Sequence, residues 1–327
     1  MPELPDIEAY IEALRTCVLG QTLLGIRLVN PFLLRTVDPP LDAVAGGRVE
    51  AIERLGKRVV FEVTIPSDQA RSPHQAVSSE QATAQAPDLF STLPVFIVVH
   101  LMVAGRLHWK ELGSLIPRGS GLAAFDFANG SLILTEAGKK RRASLHLARG
   151  REELARLDPG GLEVVGSSLE AFEAVLRREN RTLKRALTDP HKFSGVGNAY
   201  SDEILHRARL SPLKQTKDLN EKELVALHAA AIEVLQGWTE RLRAEARESF
   251  PEKVTAFRPG MAVHGRFGLA CPQCGAAVQR IVYADNECDY CPSCQTKGRI
   301  LADRALSRLL KDDWPRKTPS DPGEDLG

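Results

Sequence analysis

The sequence predicts an α+β chain of several domains: a helix and β-rich first domain, a mainly helical second domain and a small cysteine-rich module. Asn129-Gly130 lies between two alternating apolar runs, which indicates a β-hairpin. Apolar residues at helical spacing over 224–242 indicate a long helix with one face in a core. Five of the six cysteines lie between Cys271 and Cys294, and this crowding is typical of a metal site rather than a disulfide scaffold.

Composition and charge limit the class of protein. With 327 residues, 43% of them hydrophobic, the chain can bury a substantial core in two or three domains. Its 43 basic and 42 acidic residues nearly cancel, so any surface for a polyanion must come from local basic clusters, as at 139–142, 177–192 and 299–317. Without a signal-type start or an apolar run near ~18 residues, we expect a cytoplasmic, nucleoid-associated protein of bacterial type and no membrane partner.

The first domain is expected to begin with a buried helix. Apolar residues over 7–18 follow a helical stripe, and Gly20 suits the end of that helix. Short β-type runs then follow between residues 25 and 147. They are interrupted by 66–94, a Ser-, Ala-, Gln- and Pro-rich segment that predicts a disordered insertion. We place this first domain at 1–150.

The second half is expected to be mainly helical. Helical patterns return over 169–242, so we place a helical domain at 151–262. The cysteine-rich module is placed at 263–299. A basic helix and tail are expected over 300–327.

Four cysteines form two pairs separated by sixteen residues, namely Cys271 with Cys274 and Cys291 with Cys294. Two such pairs can surround one tetrahedral ion, which is a zinc signature. No coordination position would stay open, so one zinc per chain would stabilise the module rather than activate water. Cys288 makes a competing pair with Cys291, but that pairing would leave Cys294 outside the site. We interpret Cys288 and Cys17 as non-ligands.

Two further segments carry possible chemistry. Gly195-Val196-Gly197 precedes a helix that Asn198 could begin, and backbone amides at such a helix start can approach a phosphate, although an ordinary tight turn has the same pattern.

At the chain start, removal of Met1 would leave Pro2 with a free secondary amine. An α-amino group has a pKa near ~8, so part of it is a neutral nucleophile at pH 7. Glu3 beside it can give or take a proton.

Taken together, these motifs resemble the formamidopyrimidine-DNA glycosylase family, with endonuclease VIII as its sister branch. Three features match in the same order: Pro-Glu-Leu-Pro-Asp-Ile-Glu at 2–8, the glycine segment before Asn198, and the cysteine quartet. The resemblance covers the chain except 66–94 and the residues after 299. It implies an N-terminal β-sandwich with flanking helices, a helix–two-turn–helix domain and a C-terminal zinc hairpin. Its partner would be damaged double-stranded DNA, with the lesion flipped out of the stack.

The resemblance also implies roles for single residues. Pro2 would attack the sugar C1′, Glu3 would be the acid/base, and Lys57 would contact phosphate and assist the lyase step. The positions expected to contact DNA are Lys184, Asn198, Arg142, His100 and Arg299. The implied activity is a bifunctional glycosylase and AP lyase that excises oxidised purines, namely formamidopyrimidine and 8-oxoguanine, through a Schiff base and β,δ-elimination. We expect a monomer.

The sequence departs from the family pattern at the DNA-facing tips. Asn286 stands where the zinc hairpin usually has an Arg, so Arg280 or Arg299 would have to supply that charge. The turn at 100–105 has Val103 where the family has a void-filling Met, with Met102 one position early. The loop at 136–142 has no aromatic residue. These departures predict an altered wedge and an altered lesion preference.

Three other functions were weighed. An endonuclease VIII-like enzyme for oxidised pyrimidines is a near alternative, although Leu4 rather than Gly favours the formamidopyrimidine branch. A non-catalytic damaged-DNA-binding protein would have no need of Pro2, Glu3, Lys57 and Lys184 together. An RNA- or ribosome-associated zinc protein would explain the cysteines and the basic clusters but not the N-terminus.

Overall fold

The computed structural model describes residues 1–65, 94–138, 140–252, 254–255, 257–283 and 286–301, with the backbone alone at 283 and 286. The predicted insertion up to residue 93, Lys139 and the predicted basic helix and tail beyond Leu301 lie outside the described residues. The chain divides into two compact units. The first comprises Met1–Pro159 and Thr239–Val254, and the second comprises Gly160–Trp238 and the chain from Thr255 onward.

Within the described part of the first unit, strands form two antiparallel sheets of four. The helices are α1 (Leu4–Val18) and α2 (Gly150–Arg156). The strands are β1 (Leu23–Leu28), β2 (Arg48–Leu55), β3 (Arg58–Thr64), β4 (Val95–His100), β5 (Gly105–Lys110), β6 (Gly121–Phe127), β7 (Gly130–Glu136) and β8 (Ser144–Arg149). One sheet has the order β1-β6-β7-β5 and the other β2-β3-β4-β8. Apolar residues of both sheets form one core, in which the rings of Phe61 and Phe125 stack at 6.2 Å. The unit is thus a β-sandwich with flanking helices.

The local sequence explains these elements. The apolar stripe of α1 is buried from Ile7 to Val18, and Gly20 then takes the positive φ that ends the helical segment. The predicted hairpin is also confirmed, because Phe127 pairs with Gly130 across the Asn129-Gly130 step.

The described part of the second unit is mainly helical and ends in a short hairpin. Its elements are α3 (Leu169–Arg177), α4 (Leu183–Leu187), α5 (Asn198–Arg207), α6 (Glu221–Glu248), β9 (Gln279–Tyr283), β10 (Asn286–Tyr290) and α7 (Pro292–Thr296). The predicted stripe on α6 is buried at Leu224, Leu227 and Leu235, in a core with Phe172 and Tyr200. From Thr239 onward, α6 belongs to the first unit.

In the first unit, the last turns of α6 bind α1 by ion pairs between Arg243 and Glu8 and between Arg247 and Glu12. None of the helices in the described ranges is both long enough and apolar enough to span a bilayer. The domain bounds at 150, 262 and 299 stay predictions.

Candidate functional site

Met1 is exposed, but the residues directly after it are buried at the beginning of α1. Pro2 is buried, and Glu3, which has an exposed fraction of 1%, is the N-cap residue of the helix. The backbone N–H of Glu3 donates to Asp6 Oδ2 at 2.9 Å, which closes the first helical turn. Two of the residues predicted to act in catalysis, Pro2 and Glu3, therefore lie at the fixed start of this helix.

The environment of this terminus favours a neutral amine. Burial lowers the pKa of the Met1 amino group, and the positive charges of Arg106 and Lys57 lower it further, whereas Glu3 and Asp6 raise it. Lys57 is half-buried in the turn between β2 and β3. The structure thus brings Lys57, Glu3 and the chain terminus within electrostatic reach of one another.

Arg54 holds the turn that carries Lys57. Its Nε donates to Glu8 Oε1 at 3.0 Å, and its Nη1 donates to the Gly56 carbonyl at 2.9 Å. Gly56 has a φ of +61°, which the turn requires and which glycine adopts without a steric penalty. This connection between α1 and the turn fixes the backbone position from which the Lys57 side chain extends.

His100 ends β4 as a neutral imidazole. The Met102 N–H donates to His100 Nδ1 at 3.0 Å, so the proton of the neutral ring lies on Nε2. Burial lowers the pKa of His100 to about 4, and the charges of Arg58, Lys57 and His146 act in the same direction. The predicted contact residue therefore offers an N–H donor in a basic environment that suits a phosphate.

The turn after His100 presents Val103 at its tip. Met102 adopts a φ of +51°, and Val103 has an exposed fraction of 58%. The Gly105 N–H donates to the Leu101 carbonyl at 2.8 Å, and a Cβ at position 105 would overlap that oxygen. Only glycine therefore fits where the turn closes.

A buried carboxylate organises the loop that carries Arg142. Glu136, with an exposed fraction of 2%, accepts the Arg142 N–H at 2.8 Å and the Ala143 N–H at 2.9 Å. The Arg142 side chain itself is exposed. Position and exposure are compatible with the predicted DNA contact.

In the second unit, the structure brings Lys184 and Asn198 together. Asn198 is the first residue of α5, as predicted, and Gly197 is its N-cap. Lys184 Nζ donates to the Asn198 carbonyl at 2.7 Å, to Ser201 Oγ at 2.8 Å and to Asp202 Oδ1 at 2.5 Å. Lys184 has an exposed fraction of 8%, so these bonds fix the start of α5 from inside. Its contact with phosphate stays a prediction.

Asp202 was not identified from the sequence, yet it links α5 to the C-terminal hairpin. The residue is fully buried, and its Oδ2 lies 2.8 Å from His264 Nδ1 and accepts the Asp289 N–H at 3.3 Å. Asp289 Oδ1 in turn accepts from Arg280 Nε at 2.8 Å. The result is a chain of hydrogen bonds and ion pairs, here called the ionic chain, that crosses from α5 to the hairpin.

Arg280 is already paired with carboxylates of the hairpin. It pairs with Asp289 and, at 2.8 Å, with Glu287, and the hydrogen bond to Asp289 is the main cause that raises its pKa. One of the two residues proposed to replace the missing charge at 286 therefore already has two carboxylate partners. Arg299, the other, is exposed just after α7.

The four predicted cysteines lie together. Cys271 Sγ lies 3.9 Å from Cys294 Sγ, and Cys274 Sγ lies 3.4 Å from Cys291 Sγ. Metal–sulfur bonds of ~2.3 Å in a tetrahedron give sulfur–sulfur distances near ~3.8 Å, and both of these pairs lie near that value. Cys288 is buried on β10, where burial and then Asp202 raise the pKa of its thiol well above the ordinary value.

A histidine that the sequence reasoning missed adjoins the cluster. His206 Nε2 lies 3.3 Å from Cys271 Sγ. The ligand atoms of His206, Cys271, Cys291 and Cys294 all lie within 4.8 Å of one another, which makes this group a candidate metal site. Burial lowers the pKa of His206, and Arg209 lowers it further. A single histidine on a helix gives no sequence pattern by which it could have been assigned.

Comparison with known proteins identifies the family. The family profile of the formamidopyrimidine-DNA glycosylase N-terminal domain matches residues 1–159, and that of the formamidopyrimidine-DNA glycosylase H2TH domain matches residues 164–245. Formamidopyrimidine-DNA glycosylase of Thermus thermophilus is 30% identical over 307 residues, which are 91% of this chain and all of the relative. An uncharacterized formamidopyrimidine-DNA glycosylase-like protein of Mycobacterium tuberculosis is 38% identical over 162 residues, which are 50% of this chain and 99% of that protein.

A solved structure has the same fold. The complex between a Lactococcus lactis FPG mutant and a Fapy-dG containing DNA superposes with a TM-score of 0.71 at 23% identity, over 90% of this chain and 100% of that one. The two profiles thus cover the sandwich and the helical domain with α5. The chain belongs to the formamidopyrimidine-DNA glycosylase family and is a DNA glycosylase.

Proposed function

We propose that this protein is a bifunctional glycosylase and AP lyase that removes oxidised purines from damaged double-stranded DNA through a Schiff base on Pro2. The observation that carries the proposal is the buried chain start, where Pro2 and Glu3 are fixed by α1 and lie near the charge of Lys57. A mutant of the Lactococcus lactis protein was crystallised with a formamidopyrimidine lesion, and the wild type with an oxidised pyrimidine, so these complexes support damaged DNA as the substrate class.

The chemistry begins with a nucleophilic amine. After removal of Met1, the Pro2 nitrogen attacks the sugar C1′, and the bond from C1′ to the damaged base breaks as the base leaves with a proton. The amine then loses its own proton, and the C1′–O4′ bond opens to give an iminium ion. Glu3 is the group placed to move these protons.

The iminium explains the lyase step. It makes the C2′ proton acidic, and loss of this proton breaks the C3′–O bond to the first phosphate. A second elimination breaks the C5′–O bond, so both phosphates leave and the sugar stays on the enzyme until water releases it. Lys57 would hold phosphate and assist these steps.

The local electrostatics support this assignment. Burial and the positive charges of Lys57 and Arg106 lower the pKa of the present terminal amine. We expect the same surroundings to act on the Pro2 nitrogen once it becomes the terminus. A lower pKa leaves more of the amine neutral, and therefore reactive, near pH 7.

The DNA contacts are proposed in both units. In the first unit, His100 and Arg142 would bind backbone phosphates. In the second unit, the amides at the start of α5 and Asn198 would bind another. Lys184 would hold that helix start from inside through its three hydrogen bonds, and Arg299 would add charge beside the hairpin. We further propose that the chain acts as a monomer.

The metal is proposed to be a single zinc ion held by the four cysteines. Four thiolates at tetrahedral spacing are the donor set of structural zinc sites, which have no open position. Bound there, zinc would stabilise the hairpin.

Borohydride trapping tests the function. The full-length protein with Met1 removed should give a covalent species with an abasic duplex and with oxidised-purine duplexes, and peptide mapping should place the cross-link on Pro2. Glu3→Gln should lower base excision by about 10²-fold or more while trapping on the preformed abasic site persists.

Two outcomes would contradict the proposal. A cross-link on a lysine would show that the nucleophile is misassigned. Preference for oxidised pyrimidines across the lesion panel would favour the endonuclease VIII-like alternative instead.

A further inference from the structure

His206 lies in the last turn of α5, directly beside the cysteine cluster. Its exposed fraction is 2%, and its Nε2 is 3.3 Å from Cys271 Sγ. At this distance, the ring can either donate an N–H···S hydrogen bond or share a metal ion with the sulfur. The rest of the cluster distinguishes the two cases.

The four cysteines already complete a ligand set. Their sulfur atoms lie in two close pairs, at 3.9 Å and 3.4 Å, near the ~3.8 Å edge of a tetrahedral thiolate site. A structural zinc ion takes four ligands, so a histidine nitrogen would have to displace Cys274 or another thiolate. The arrangement therefore favours His206 as a neighbour of the site rather than as a ligand.

Four thiolates around one Zn²⁺ leave a net charge of about −2, which N–H donors can offset. Backbone donors serve two of the sulfur atoms: the Ala276 N–H bonds Cys274, and the Cys294 N–H lies 3.5 Å from Cys291 Sγ. His206 offers Cys271 a side-chain donor, and it comes from a different element, helix α5.

We propose that His206 is a positioning residue of the metal site, whose Nε2–H donates to the Cys271 thiolate and fastens α5 to the metal-loaded hairpin. The inference rests on the proposed zinc site. Asp202 lies one turn earlier on the same face of α5 and bonds the hairpin through the Asp289 N–H. The helix that begins at Asn198 is thereby held to the hairpin at two successive turns.

Zinc release from the full-length protein tests this inference. Wild type, His206→Gln and His206→Phe should each contain one zinc, because the four ligands are unchanged. With an excess of a chromogenic chelator, His206→Phe should release zinc about 10-fold or more faster than wild type, whereas His206→Gln should be close to wild type because its amide can donate. Amides of 198–207 should also exchange faster with deuterium in His206→Phe.

Cobalt substitution separates a neighbour from a ligand. The d–d absorption of the Co²⁺ protein should be that of four sulfur ligands in all three proteins, and Cys274→Ser should change it. A His206→Phe spectrum shifted from wild type, with a Cys274→Ser spectrum that matches wild type, would make His206 the ligand and overturn the inference. Equal release rates in wild type and His206→Phe would overturn it as well. A wild-type protein that binds no zinc would refute the proposed zinc site itself, and the inference with it.

Discussion

Replacing Asp202 by Asn should destabilise the second unit far more than replacing an exposed carboxylate. Asp202 is fully buried and accepts a hydrogen bond from Lys184, a residue that is itself only 8% exposed. Removal of one partner leaves a buried charge uncompensated, which costs about 3 to 5 kcal/mol. Asn keeps one oxygen for the Asp289 N–H, so we expect a loss at the lower end of this range. That loss is ~3 kcal/mol in the free energy of local unfolding, or on the order of 10²-fold in the local folding equilibrium.

Hydrogen exchange of the full-length chain measures this loss where it occurs. Peptides that cover 198–207 should exchange on the order of 10²-fold faster in Asp202→Asn. The matched control is Glu233→Gln. It breaks a 2.8 Å ion pair between Glu233 on α6 and Arg207, which lies on α5 like Asp202. Both of those side chains are at least half exposed, so the control should change exchange by less than about threefold.

A double variant tests the physical cause. If the penalty comes from the unpaired ammonium, Lys184→Met combined with Asp202→Asn should recover most of the lost protection. Additive losses in the double variant would refute this explanation. Equal protection in Asp202→Asn and Glu233→Gln would refute the reasoning as a whole.

Three further predictions concern pH, metal and DNA. The pKa of His100 is about 4 in the folded chain against an ordinary 6.5, so the unfolded chain binds the proton first as pH falls. The contribution of His100 to stability should therefore be unaffected above pH ~6.5 and decrease by about 3 kcal/mol between pH ~6.5 and ~4, and His100→Gln should remove that part of the decrease in urea titrations. Metal analysis should give about one zinc per chain that is lost in Cys294→Ser and retained in Cys288→Ser, and the reverse pattern would mean that the wrong cysteine was assigned. Asn286→Arg should tighten binding to an abasic-analogue duplex by about 10-fold or more and steepen its salt dependence by about one counterion; no change in either would show that another residue such as Arg299 already supplies that charge, and would refute this interpretation of position 286.

Much of the fold was predictable because it is encoded locally. The stripe at 7–18 and the Asn129-Gly130 step set a helix and a hairpin through residues close in sequence, and both were found. The strand order β1-β6-β7-β5 was not predictable from these signals. A period of two shows which face of a strand is buried but does not identify its neighbour.

The candidate site, like the fold, was predictable only where its residues lie close together in the sequence. The two cysteine pairs have a spacing that predicts their grouping, and the structure places their sulfur atoms together. The roles at the chain start were implied by the family resemblance and stay predictions. The ionic chain was not predictable from spacing, because Asp202 meets His264 and Asp289 across 62 and 87 residues of sequence. Single acidic or histidine residues usually lie on a solvated surface, and only the fold shows that these three are buried together.

The glycine that closes the turn at 101–105 has a consequence for how this surface can change. Because a side chain at 105 would overlap the Leu101 carbonyl, the backbone of the turn is fixed, and position 103 is always presented at its tip. A single codon change at 103 would then exchange the exposed group without moving β4 or β5. Evolution can vary this tip independently of the scaffold, and protein engineers could use the same position for side-chain libraries, including non-natural amino acids.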